Sequence, residues 1–156
     1  MAFASLLPAG HIFPDPQRER WHERLADPAV SMLVAEEDDP RALGRAERLR
    51  PGDGALLGFT ACGESRDPGA GPETGEIRTL FVAAGQWRAG VGRALMAAAL
   101  ADLTARGHTE ATVWSFAANE RANAFYEAHG FTRDGAERTE AAWAHLPEVR
   151  YLRPLP

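Results

Sequence analysis

One cysteine is all that 156 residues contain, so no intramolecular disulfide can form. Cys62 lies in an apolar, strand-like run with no helix dipole or basic cluster to activate it, and it reads as a small core residue. No stretch approaches the length of a transmembrane helix, and the N-terminus lacks the basic-then-apolar order of a signal peptide, so a cytoplasmic protein without a membrane partner is expected. There is no basic run either. Seventeen basic residues stand against 22 acidic ones, a net charge of −5, which argues against nucleic acid as a partner and gives a weak preference for cationic amines. The five histidines are scattered without metal-ligand spacing, and no metal is implied. Internal repeats are absent, as is the G-x-x-x-x-G-K-[ST] of a P-loop.

What remains is ordinary for one globular domain spanning 1–156: 45% hydrophobic residues, 25% charged, and length enough to bury a core. Its most informative stretch is Glu76 to Gly107. EIRTLFV is β-prone and ends in a continuous apolar run, as a strand buried on both faces would. Gly90 and Gly92 then bracket Val91, and Val91, Leu95, Ala99 and Leu103 follow helical spacing up to Gly107. Glycines that open a helix after a strand let a ligand approach the backbone. The free N–H groups expected at Val91, Gly92, Arg93 and Ala94, together with the helix dipole, favour an anion there, and a pyrophosphate would fit. A Rossmann fingerprint is excluded, because its third glycine position is Leu95. A tight turn of purely structural purpose would look the same without further signals.

A second stretch supplies one. LFVAAGQWRAGVGRAL together with NERANAFYEAHGF, matching at Asn119, Ala122, Phe125, Tyr126, Gly130 and Phe131, resembles the GNAT superfamily of acetyl-CoA-dependent N-acetyltransferases. Two departures occur. Trp87 stands where Gln or Arg is usual, and no proline follows the strand between Val82 and Gln86. The resemblance implies an α/β (α+β) domain with a mixed, twisted, largely antiparallel sheet flanked by helices. It also implies that the backbone at Phe81 and Val82 runs beside pantetheine, that Arg88, Ala89, Gly90, Val91, Gly92, Arg93 and Ala94 cradle the pyrophosphate, and that Asn119 hydrogen-bonds the cofactor arm. Tyr126 matches the family's general acid. Its other reading is a half-buried core tyrosine.

Strands are expected at Ser31–Ala35, Ala55–Cys62 and Thr109–Ser115, a helix at Asn119–His129 with Ala122, Phe125, Tyr126 and His129 on its inner face, and final strands at Thr132–Arg138 and Glu148–Arg153. A charged insertion, 36–54, separates the first two strands. Its middle, Arg41–Leu49, reads either as a frayed helix or as solvated chain. Near the start, Asp15 is expected to cap a short helix carrying Trp21 and Leu25. The first strand and helix usual in the family are not recognisable, so either the native start lies upstream or a second copy, as a homodimer, covers the open sheet edge.

Acetyl transfer to an amine needs a deprotonated nucleophile, a polarised thioester and a proton for the departing thiolate. Glu76 is the candidate base by resemblance, alongside a water chain, and a solvated strand-end glutamate is its competing reading. Trp114 fills the slot where relatives that acetylate protein N-termini carry glutamate, which counts against that substrate. The expected function is transfer from acetyl-CoA to a primary amine of a small molecule or peptide. The alternative is a non-catalytic acyl-CoA-binding or regulatory module.

Overall fold

A computed structural model describes residues 27–36, 47–48 and 56–156. The expectations for Met1–His11, the Asp15 helix and the missing first strand and helix lie outside these residues. The described chain forms two compact units, Asp27–Ala111 with Pro154–Pro156, and Thr112–Arg153.

The first unit holds β1 (Val30–Glu36), β2 (Glu47–Arg48), β3 (Leu56–Glu64), β4 (Thr74–Val82) and α1 (Val91–Ala105). Its strands run in the order β2-β1-β3-β4, each pairing antiparallel. At Glu47 and Arg48, β2 replaces the expected frayed helix or solvated chain, and the rest of Arg41–Leu49 lies outside the described residues. Glu47 and Arg48 pair with Val34 and Leu33 of β1 because the backbone groups of an open strand edge are strong partners for any nearby segment.

In α1 the expected stripe is the buried one: Val91, Leu95, Met96, Ala99 and Leu103. Val91 and Leu95 pack with Ala35, Leu57, Leu80 and Val82. The C-terminal end of the helix is tied to β1 by Arg106, which donates to Asp102 at 2.8 Å, to the Ala29 carbonyl at 3.1 Å and to the Ser31 hydroxyl. Cys62 lies fully buried beneath this helix, its sulfur 3.8 Å from Asp102 and 3.9 Å from the Ala99 carbonyl, as a core residue.

A β-bulge decides which side chains of β4 face the helix. Ala61 pairs with Thr79 and Cys62 with Ile77, leaving Arg78 as an extra residue on β4. Beyond the bulge Leu80 and Val82 pack toward α1, so Thr79 and Phe81 project from the opposite face. The Thr60 hydroxyl satisfies the Thr79 carbonyl at 2.8 Å. The expectation of burial on both faces therefore fails at the end of the strand, where Phe81 is 50% exposed.

The second unit takes most of β5 (Glu110–Phe116), then α2 (Glu120–Ala128), β6 (Thr132–Thr139) and β7 (Pro147–Pro154), with β5-β7-β6 as strand order. Asn119 caps α2, accepting the Ala122 N–H at 3.3 Å. At the other end Gly130 adopts φ +81°, its N–H reaches the Glu127 carbonyl at 3.0 Å, and the Phe131 N–H reaches that of Tyr126 at 3.1 Å. This pair of bonds is the Schellman end that the glycine and following aromatic predict. No described helix is long and apolar enough to cross a membrane.

Candidate active site

The turn after β4 has the backbone that an anion needs. Gly90 caps α1 at φ +90°, a left-handed conformation in which a side chain is strained, although a Cβ there would meet nothing within 4 Å. Among the described residues the N–H groups of Val91, Gly92 and Arg93 have no backbone acceptor. Ala94, expected to be free as well, donates to the Gly90 carbonyl at 3.0 Å. That is the first bond of the helix, so three open amides of α1 remain rather than four.

Arg88, Ala89 and Arg93 are exposed around the turn. Arg88 itself sits at φ +64°. Trp87, the departure from the family pattern, uses its indole N–H to hold the Val82 carbonyl at 3.1 Å, while the Ala83 N–H reaches the Leu57 carbonyl at 2.8 Å. Trp87 thus joins the strand end to the turn, and the structure keeps Phe81, Val82 and Arg88–Ala94 in one continuous stretch of the first unit.

Glu76 is 2% exposed and gripped by Arg66. The guanidinium Nε donates to Oε2 at 3.0 Å and Nη2 to Oε1 at 2.6 Å, while the Arg66 backbone N–H donates to Oε2 at 3.0 Å. Three of about four lone-pair positions of the carboxylate are filled, leaving one on Oε1. The carboxylate is not the solvated strand-end group of the competing reading.

Asn119 and Tyr126 belong to the second unit. Because Asn119 Oδ1 serves the helix cap, its amide N–H groups are what it can offer a ligand. Tyr126 is 7% exposed, its ring set 6.0 Å from Tyr151, 6.1 Å from Phe131 and 5.7 Å from Phe125 between centroids. Burial pushes its phenol up to about 12, because the phenolate would lose its hydration. Its hydroxyl bonds no described residue. The group is therefore a retained proton donor inside an aromatic frame.

Two features escaped sequence reasoning. Asn123, a polar residue omitted from the apolar inner face of α2, is 5% exposed and donates to the carbonyls of Phe116 and Ala117 at 3.3 and 3.1 Å, bracing the β5-to-α2 turn. Its helical spacing from Asn119 and Tyr126 was the available signal. The Arg66 fork had none, since it joins residues ten apart across a glycine- and proline-rich loop. Trp114, noted for its slot on β5, is stacked by Arg138 at 4.1 Å, with Arg150 at 5.7 Å.

Comparison with known proteins adds a context for this geometry. The family model described as acetyltransferase (GNAT) family matches residues 3–131. A mycothiol acetyltransferase of Beutenbergia cavernae is 38% identical over 131 residues, 84% of this chain and 38% of that protein. That of Kocuria rhizophila is 32% identical over 134 residues, 85% of this chain and 39% of the relative. The chain thus spans about two fifths of the length of these curated relatives. Among solved structures, a GNAT-family acetyltransferase from Desulfovibrio desulfuricans superposes with a TM-score of 0.66 at 21% identity, covering 91% of this chain and 80% of that one, which shows a shared α/β fold.

Proposed function

The chain belongs to the acetyltransferase (GNAT) family, and from that premise we propose that it transfers an acetyl group from acetyl-CoA to a primary amine of a small molecule or peptide. The observation that carries this reading is the strand, left-handed Gly90 and three open amides at the start of α1. Oriented N–H donors and the positive helix end suit a pyrophosphate, with Arg88 and Arg93 adding charge. The co-substrate supplies an acetyl activated as a thioester. The Phe81–Val82 backbone lies along the acyl arm and the Asn119 amide donates to it. Tyr126 gives its proton to the leaving sulfur, a role suited to a phenol that burial keeps neutral. The amine's proton leaves along a water chain that ends on the open lone pair of Glu76.

Release of free thiol on a panel of primary amines tests the reading. Thiol that appears only when an amine is present supports it, and acetyl-CoA binding without release for any amine points to a non-catalytic acyl-CoA-binding module. The closed fork on Glu76 is the feature that favours this second reading. We further propose a cytoplasmic protein built as one domain that assembles as a homodimer. Size-exclusion chromatography with light scattering tests the dimer, which a monomeric mass would overturn.

A further inference from the structure

The connection from β5 to α2 is tied at more points than its length requires. Phe116–Asn119 is a β-turn closed by the Asn119 N–H on the Phe116 carbonyl at 2.9 Å, and the Ala117 N–H reaches the Pro147 carbonyl at 2.8 Å. One helical turn later, Asn123 sends its side-chain NH2 back to the same segment, to the Phe116 carbonyl at 3.3 Å and the Ala117 carbonyl at 3.1 Å. The Phe116 carbonyl therefore takes a backbone donor from Asn119 and a side-chain donor from Asn123.

Two carbonyl partners fix the direction of the Asn123 amide. Its NH2 must face the turn, and its Oδ1 is left buried with no partner among the described residues. The residue is 5% exposed, so water does not offset that loss. Burying an unpaired acceptor costs about as much as the two bonds of the NH2 gain, and the side chain adds little net stability. What it supplies is geometry. An apolar residue at this helical position would avoid the orphaned oxygen and leave the turn held by its backbone bonds alone.

Asn119 ends that turn. Its Oδ1 accepts the Ala122 N–H at 3.3 Å, so its amide N–H groups are what it offers a ligand, and the turn that carries them sets their direction. We infer that Asn123 is a positioning residue, which clamps the Phe116 and Ala117 carbonyls and so aims the Asn119 amide at the acyl arm of the co-substrate. The inference rests on the acetyltransferase reading and adds a residue to its co-substrate site. Tyr126 lies outside the effect, because the rings of Phe131 and Tyr151 frame it from beyond the turn.

The test is a calorimetric titration of acetyl-CoA into the parent, Asn123→Leu, Asn119→Ser and the double variant. Serine at 119 keeps a cap for Ala122 and removes the amide. Each single variant should weaken binding ~5–10-fold, the worth of about one hydrogen bond. The double variant should bind no more weakly than Asn119→Ser, because Asn123 acts through the amide that serine removes. At saturating acetyl-CoA, and with a primary amine that the parent turns over, kcat of Asn123→Leu should stay within about threefold of the parent. Asn123→Ala, read in the same way, decides the question if leucine folds poorly.

Parental affinity in the Asn123 variants, with or without a lower melting temperature, overturns the positioning role and leaves acetyl transfer standing. Effects that add in full in the double variant do the same. Unchanged affinity in Asn119→Ser overturns the role of Asn119, and this inference with it. A parent that neither binds acetyl-CoA nor turns over any amine overturns the acetyltransferase reading itself.

Discussion

Arg66 closes a two-point fork on the buried carboxylate of Glu76, at 2.6 and 3.0 Å, although Arg66 itself is 44% exposed in its side chain. Removing the arginine leaves a buried acceptor group without its charged partner. Arg66→Ala is expected to cost about 1–3 kcal/mol, below the cost for a fully buried pair because solvent screens the exposed partner. Denaturant unfolding measures it. Glu76→Gln separates structure from chemistry: a water relay ending on Glu76 predicts a ~10²-fold fall in kcat, whereas a purely structural fork predicts turnover within about threefold of the parent.

Tyr126→Phe should retain affinity for the co-substrate and lose turnover. The ring stays within its aromatic frame while the donating hydroxyl disappears, and loss of a general acid typically lowers kcat ~10²–10⁴-fold. Since burial holds the phenol near 12, the tyrosine should impose no high-pH limb on the parent's kcat profile below about pH 11. Near-parental turnover in the variant, with chemistry rate-limiting, would reduce Tyr126 to a core residue.

Alkaline stability follows from the same burial. The Cys62 thiol is raised from 9.0 to about 12, first by burial and then by the charge of Asp102, and Tyr126 is raised from 10.0 to about 12 by burial. In both cases the unfolded chain releases its proton at lower pH than the folded one. The Cys62 contribution is complete below about pH 9 and declines by roughly 4 kcal/mol as pH rises toward 12, and that of Tyr126 is complete below about pH 10 and declines by roughly 3 kcal/mol over the same approach. Thermal melts across that range check the sign, and Cys62 should resist thiol reagents until the protein unfolds.

Arg88 holds a left-handed backbone, φ +64°, in which a Cβ is strained and glycine is not. Arg88→Gly should raise the melting temperature by ~2–4 °C, from about 1 kcal/mol of relieved strain, and weaken CoA binding through the lost charge. A variant less stable than the parent would show that the arginine side chain contributes more than its backbone costs.

The stripe Val91, Leu95, Ala99 and Leu103 was legible because a helical period is written in sequence, and so were Asn119 at the head of α2 and Gly130 with Phe131 at its end, because caps follow local chemistry. What escaped depends on partners distant along the chain. The bulge at Arg78 arises from the register of β3 against β4, the Arg66 fork from loop closure, and the exposure of Phe81 from the face the bulge assigns to it. Asn123 was passed over because its amide is polar; its NH2 donates to two carbonyls, while its Oδ1 is buried with no partner among the described residues. Arginine at position 88 gave no hint of a positive φ, a conformation that glycine signals and a long side chain does not.

Binding of the co-substrate at the Gly90 turn is most directly tested by calorimetric titration of acetyl-CoA into the parent and a folded Gly92→Trp variant, followed by thiol release with amine. All 17 basic residues are arginine, so the chain has no lysine to accept acetyl groups, and released thiol reports on the added amine with only the N-terminal amine as internal background. The account predicts binding and amine-dependent release by the parent, and loss of both when an indole fills the first turn of α1 beside the open amides. Unchanged affinity in Gly92→Trp would contradict it.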